Sequence, residues 1–249
     1  MRKKRLDILL VDRGLAESRN WAQRLIMAGE VLVNGQLAHK PSETVAEKDQ
    51  IELKSRPKYV SRGGYKLEAA LKAFGLTDLS GKICVDIGAS TGGFTDCMFQ
   101  FGAEKVYAID VGYGQLHYSL RDHPNVVLME RVNIREVENL PEEVDFIVID
   151  LSFISLKLVF PVILAWPRNK TVDLIALVKP QFEAGREEAA KGKGVIKDEE
   201  IRENVLEDTI EFAEGLGFTF IDSVDSPITG RKGNVEILAR FQLKKFQNS

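Results

Sequence analysis

Two groups of residues in this chain stand where chemistry can be done. The first is a glycine turn, "VDIGASTGGFTD", in which Gly88, Gly92 and Gly93 follow an apolar run containing Asp86. Glycines there let the backbone approach a ligand closely, just before a helix N-terminus, as a nucleotide cofactor requires. A second apolar run ends at Asp110, 24 residues after Asp86. An acid at that place suits a ribose diol. A glycine turn with an acid behind it serves either NAD or S-adenosylmethionine. The Asp-x-Gly opening and the missing G-x-G-x-x-G spacing favour S-adenosylmethionine, and without a P-loop sequence ATP is disfavoured. The second group is four charges: Asp150 ends "VDFIVID", Lys179 ends "DLIALVK", Glu236 lies in "GNVEILA", and Lys66 precedes the first of these strands. Lysine is among the residues least often fully buried. One that ends an apolar strand either reaches water along its methylenes or has work to do there. Each of the four has an ordinary explanation as a cap, a snorkelling chain, an edge-strand residue or a helix-surface residue. As a set they are less easily dismissed, because one fold brings them to one rim.

That fold is read from alternation. From residue 80, strand-like runs "KICVDIG", "KVYAID", "VVLME", "VDFIVIDL", "DLIALVK", "FTFIDSV" and "NVEILARFQL" are separated in most cases by helical patterns. The main helical ones are "GGFTDCMFQFG", "FISLKLVFPVILAW" and "KDEEIRENVLEDTIEFAEGLG". Such alternation predicts an α/β class, a doubly wound Rossmann-like sheet that binds ligands beyond the C-terminal ends of its strands.

The first 60 residues differ. They hold 12 Lys and Arg against 8 Asp and Glu, within a chain of net charge −3, so a basic head sits on an acidic body. A head of that sign suits a polyanion. "RLDILLVDRGL" reads as a short helix ended by Gly14, with the N-terminus belonging to it. Ser18 caps a second helix carrying Trp21, Leu25 and Ile26 inward. Asn34-Gly35 turns a hairpin, and Gln50 to Leu53 add a strand. This predicts a small α+β domain over residues 1–57, a basic linker over 58–65 and the α/β domain over 66–249. The linker region concentrates Lys54, Arg56, Lys58, Arg62 and Lys66. No apolar run reaches the roughly 18–20 residues of a membrane span. Cys84 and Cys97 form no metal spacing and no disulfide framework, so a reducing cytoplasm fits best and no metal is expected.

Residues 5–55 resemble the small RNA-binding module of a bacterial ribosomal protein family, the α-L motif, through "SR…A…I..G.V.VNG". The resemblance implies phosphate contacts from Arg5, Arg19 and Arg24, with Lys3 and Lys4 adding charge, while the position of the basic linker between such a module and the body argues for a substrate contact from Arg62. The body resembles the FtsJ-like ribose 2′-O-methyltransferases, whose signature is a Lys-Asp-Lys-Glu tetrad. Lys66, Asp150, Lys179 and Glu236 match it in order. With both parts joined, "YVSRGGYKL", "DIGASTGGFTD", "DLSFISL", "LVKPQFE" and "GNVEI" are similar to the TlyA/hemolysin A family of ribosomal RNA methyltransferases. Ser90-Thr91 depart from the Ala-Pro that many FtsJ-like enzymes carry. The resemblance implies S-adenosylmethionine held by Asp86, Gly88, Ala89, Ser90, Gly92, Gly93, Phe94, Asp110, Asn133 and Asp150. It implies ribosomal RNA or ribosomal subunits as partners, with no membrane and no obligatory protein partner. It also implies that Lys179 deprotonates or polarises a ribose hydroxyl, a cation at Lys66 easing proton release. Asp150 would orient Lys179, and Glu236 would hold Lys66 or the ribose. Gly185, Gly192 and Gly194 with Lys191 and Lys193 suggest a basic loop at the active rim.

Three other classes are compatible in part. A base methyltransferase would carry a catalytic Cys or an Asn/Asp-Pro-Pro-Tyr/Phe strand end, whereas the fourth strand ends Asp150-Leu151-Ser152-Phe153. A non-catalytic assembly factor would have no need of all four charges. A membrane-lytic protein would need an apolar segment that the sequence lacks.

Overall fold

The computed structural model describes residues 3–16, 18–54, 58–166, 169–185, 192, 194–230 and 233–244. The chain divides into two units, Met1–Lys58 and Tyr59–Ser249.

In the first unit, α1 (Leu6–Asp12) and α2 (Arg19–Met27) pack through Leu6, Leu9, Leu10, Ala22, Leu25 and Ile26. The Ser18 hydroxyl accepts the Trp21 N–H at 3.2 Å and starts α2. Strands β2 (Val31–Val33) and β3 (Gln36–Leu37) form the expected hairpin, with Asn34 at φ 50° and Gly35 at φ 77°. Positive φ at both turn residues matches the right-handed twist of the flanking strands. Strand β5 (Ile51–Leu53) completes the sheet β3-β2-β5. One expectation changes. Lys3–Arg5 is not helical but forms strand β1, antiparallel to β4 (Thr44–Ala46). The charged run Lys3-Lys4-Arg5 has no apolar stripe to bury as a helix, and its backbone groups find partners in β4 instead.

The second unit starts earlier than the expected domain boundary at residue 66. Tyr59 is buried in its core, edge-to-face with Tyr65 at 5.2 Å, and the Val60 N–H donates to Asp96 Oδ2 at 2.7 Å. Residues 59–65 are therefore an anchored part of the body and not a linker, and α3 (Gly63–Ala73) begins inside them. Lys54 and Lys58 belong to the first unit, and Arg56 lies outside the described residues.

Seven strands follow: β6 (Ile83–Ile87), β7 (Lys105–Asp110), β8 (Val126–Glu130), β9 (Phe146–Ile149), β10 (Val172–Val178), β11 (Phe218–Asp225) and β12 (Ile237–Leu243). Their order is β11-β12-β10-β9-β6-β7-β8, with β12 antiparallel to both neighbours and β6 to β10 mutually parallel. Side chains alternate across this sheet. Val85, Ile87, Ile147, Ile149, Leu174 and Ala176 enter one core, and Cys84, Phe146, Val148, Ile175 and Leu177 enter the other. Both faces are covered, so the central strands read as unbroken apolar runs. Helices α3 and α4 (Gly93–Gln100) lie on the second face through Leu67, Leu71, Phe94 and Met98. The first face receives Phe160 and Ile163 of α6 (Phe160–Ala165) and Val205 and Ala213 of α8 (Glu199–Gly215). Two short helices, α5 (Tyr118–Arg121) and α7 (Pro180–Glu183), complete the list of α elements among the described residues. The chain runs outward from β6 to β8 and then returns to β9 beside β6. The strand order reverses between these two, which is where sheets of this kind hold their ligands.

Candidate active site

A cleft of about 250 Å³ opens at the C-terminal ends of β6 and β9. Its walls include Lys66, Asp86, Gly88, Ala89, Ser90 and Asp150. The two strand ends are stitched together by the Asp150 N–H donating to the Ile87 carbonyl at 2.9 Å. Gly88 has φ +89°, and a Cβ built there would stand 2.3 Å from the Asp150 carbonyl oxygen. Only glycine admits that approach together with that backbone angle.

Asp86 is wholly buried. Its Oδ2 accepts the Thr95 N–H at 2.9 Å and the Thr95 hydroxyl at 2.6 Å. Its Oδ1 has no hydrogen-bond partner among the described residues. Burial pushes this carboxyl up to about 7, against the opposing Thr95 bonds, and the neighbouring Asp150 and Asp110 charges push the same way. Asp110 ends β7. Its Oδ2 accepts the Ser90 N–H at 2.8 Å and its Oδ1 the Gly112 N–H at 2.7 Å, so it braces both loops beside the cleft.

The four charges form two pairs. Lys66 Nζ lies 2.5 Å from Glu236 Oε2, and both side chains are nearly buried, at 12 % and 3 % exposure. Lys179 Nζ lies 2.5 Å from Asp150 Oδ1 and donates to the Ser152 hydroxyl at 3.1 Å. Lys66 and Asp150 line the cleft directly. Glu236 sits one residue before β12, under a loop whose Gly230 would place a Cβ 2.1 Å from Glu236 Oε1. Phe153 follows Ser152 at φ +67°, an angle bulky side chains rarely adopt; the residue is 86 % exposed, and its ring lies 5.0 Å from that of Phe182. Non-glycine residues held at such angles cluster at functional sites.

Of the residues expected at a cofactor, Asp86, Gly88, Ala89, Ser90, Gly93, Phe94 and Asp150 line the cleft. Gly92, Asp110 and Asn133 do not. Gly92 starts α4 at φ +95°, and Asn133 caps the turn Ile134–Glu136 through the Arg135 N–H at 3.1 Å. Arg62, expected at RNA, lines the cleft and donates to the Thr229 carbonyl at 3.2 Å. Ser61, Thr91, Thr229 and Gly230 also line it, and sequence reasoning missed them. The first two stood inside quoted motifs; nothing in "SPITG" marks the others. Lys191 and Lys193 of the expected basic loop lie outside the described residues. In the first unit Arg5 and Arg19 converge on the buried Asp7, Lys4 pairs with Asp12 and Glu47, and Lys3 and Arg24 are exposed.

Comparison with known proteins gives two domain matches. The family described as FtsJ-like methyltransferase matches residues 59–242, and the S4 domain matches residues 4–51. YqxC of Bacillus subtilis (strain 168) is 48 % identical over 246 residues, covering 95 % of this chain and 85 % of its own. The 16S/23S rRNA (cytidine-2′-O)-methyltransferase TlyA of Mycobacterium tuberculosis is 43 % identical, covering 94 % of this chain and 88 % of its own. A solved structure from Streptococcus thermophilus is 44 % identical with a TM-score of 0.75, covering 98 % of this chain and 90 % of that one.

Proposed function

Since this chain belongs to the FtsJ-like methyltransferase family and carries an S4 domain, we propose that it methylates the 2′-hydroxyl of a ribose in ribosomal RNA, using S-adenosylmethionine. The observation that carries this reading is the double lysine–carboxylate pair, with Lys66 and Asp150 lining the cleft beside the strand-order reversal. The substrate class follows the name of its TlyA relative.

The residues at the cleft fit the cofactor. The unpartnered Asp86 Oδ1 is a buried acceptor beside the glycine turn, and an ammonium or hydroxyl donor there would satisfy it. The backbone at Gly88 and Gly93 leaves no room for a side chain. When bound, S-adenosylmethionine supplies a methyl group already activated by its sulfonium. The protein's own task is alignment, which can supply roughly 7–11 kcal/mol, together with handling one hydroxyl proton. An ammonium offers three donor positions. At Lys179 the Asp150 carboxylate and the Ser152 hydroxyl take two of them. The third has no partner among the described residues and is left for the ribose hydroxyl: as an amine Lys179 takes the hydroxyl proton on its lone pair, and as an ammonium it only orients the oxygen, whose proton then leaves to water. Asp150 and Ser152 fix where Nζ stands. Glu236 holds Lys66 at the cleft wall, and the exposed Phe153 ring is placed to stack on a nucleobase. RNA carrying such a ribose is met in the cytoplasm, where we place the activity.

The test is methylation of ribosomes, separate subunits and naked rRNA with labelled S-adenosylmethionine, mapping any 2′-O-methyl mark. Lys179→Ala and Lys179→Arg are expected to lose about 10²-fold or more in kcat while cofactor binding is retained. A folded, cofactor-binding variant with near-wild-type methylation would remove Lys179 from the mechanism. A base-methyl product would assign the enzyme to base methylation, and no product on any of these RNAs would favour a binding factor.

A further inference from the structure

Among the described residues of the first unit one carboxylate is buried. Asp7, in the first turn of α1, has a wholly buried side chain. Four donors from two other elements meet it. Arg5, at the end of β1, uses Nε to Oδ1 at 3.0 Å and Nη2 to Oδ2 at 2.8 Å. Arg19 Nε and Gln23 Nε2, both from α2, reach Oδ2 at 2.9 Å each. These bonds, that of Arg5 foremost, hold the carboxyl well below the usual range despite burial.

A buried carboxylate needs its lone pairs satisfied, and any buried donors would do that. Here the same acid grips one edge of each of two guanidinium groups whose side chains remain 40 % and 53 % exposed. Each group keeps N–H donors that Asp7 does not use, Arg5 three and Arg19 four of its five. A long side chain loses much rotamer freedom when it binds, and that loss has already been taken in folding. Two oriented planar forks match phosphate oxygens better than two free point charges. Lys4, close by in sequence, is instead occupied by Asp12 and Glu47.

We propose that Asp7 is a positioning residue that presets Arg5 and Arg19 as a paired phosphate clamp for RNA. The inference rests on the RNA reading above and adds a sign to it. Asp7→Asn makes the domain one charge more positive, so charge counting predicts tighter RNA binding, whereas loss of the preset forks predicts weaker binding.

The measurement is fluorescence anisotropy of the full chain on labelled rRNA fragments across a salt series. Asp7→Asn is expected to bind about tenfold more weakly. Arg19→Lys is expected to fall nearly as far as Arg19→Ala, with a log–log salt slope about 0.7–0.9 shallower for each phosphate lost. Should Asp7→Asn unfold the small unit, Arg19→Lys decides, because its exposed side chain can change without emptying the core. Wild-type affinity in Arg19→Lys, or Asp7→Asn binding as tightly as wild type, would overturn the clamp. A wild-type chain that binds no rRNA fragment would instead overturn the RNA reading on which it stands.

Discussion

Asp86 sets its carboxylate against its surroundings. Both oxygens are out of water, yet only Oδ2 is hydrogen-bonded among the described residues. Its ordinary value of 3.8 rises to about 7 through burial. A carboxyl raised on folding binds more protons in the native state than in the unfolded one. Its contribution to stability therefore falls as pH rises from about 4 to about 7 and is flat beyond. A cationic donor at Oδ1 favours the ionised form, so cofactor binding releases a proton and tightens as pH rises through 7. Asp86→Asn keeps the shape, the Thr95 bonds and the neutral state. Isothermal titration should show cofactor affinity down about 10- to 100-fold, the worth of a hydrogen bond to a charged group, and independent of pH between 6 and 8. Unchanged affinity would detach Asp86 from the cofactor. Asp86 was legible in the sequence because it precedes glycines whose spacing has a steric meaning. Asp7 was not: in sequence it only interrupts an apolar run, and its partners at positions 5, 19 and 23 meet it only once two helices have packed. Thr229 and Gly230 were illegible for the same reason, since a loop reaches the cleft through tertiary folding alone.

Elements were legible where both faces of a strand are buried, as in "ICVDI" and "VDLIALV", and where a cap is local, as at Ser18. They were less so in "FISLKLVFPVILAW", expected as one helix. The helix starts only at Phe160. Pro161 has no N–H, and its ring clashes with the carbonyl four residues back, so helix is excluded upstream and a 3-10 turn, Leu156–Leu158, takes that place. Strand order was implied by alternation only as a class. The register that sets Ile87 beside Ile149, and hence Gly88 against Asp150, depends on pairing across about 60 residues. That junction carries an element-scale prediction. Gly88→Ala adds a Cβ 2.3 Å from a backbone oxygen at φ +89°, so the ends of β6 and β9 must separate. Strain of this kind costs roughly 1–3 kcal/mol, visible as a lowered Tm. Cofactor binding should be lost even in the fraction that folds, because the glycine turn and Asp150 move together. A variant with wild-type binding would show that the turn is not part of the cofactor site.

At the scale of the molecule, the two units place their titrating acids in opposite environments, which makes the units separable by pH. The first unit is small, and its core is one cluster built on Leu6, Leu10, Leu25 and Ile26. Domains of that size hold a narrow margin of stability. Asp7 is depressed on folding, chiefly by Arg5. A depressed carboxyl contributes fully above its unfolded value and is lost as pH falls through the folded one, so this unit weakens below about pH 4. The body does the reverse over its own window: Asp86 penalises it progressively from about pH 4 to about pH 7. A cofactor held by the body stabilises only the body by mass action, about 2.7 kcal/mol at a hundredfold excess over Kd. Calorimetry of the full chain should then resolve two transitions. Below pH 4 the smaller one should move down, and adding S-adenosylmethionine should leave it in place. Between pH 4 and 7 the Asp86 share of the larger transition should disappear in Asp86→Asn, and in the wild type that transition alone should rise with cofactor. A single transition that shifts as a whole with cofactor at every pH would mean that the two units unfold as one, and that the opposing acids are read out by a common equilibrium.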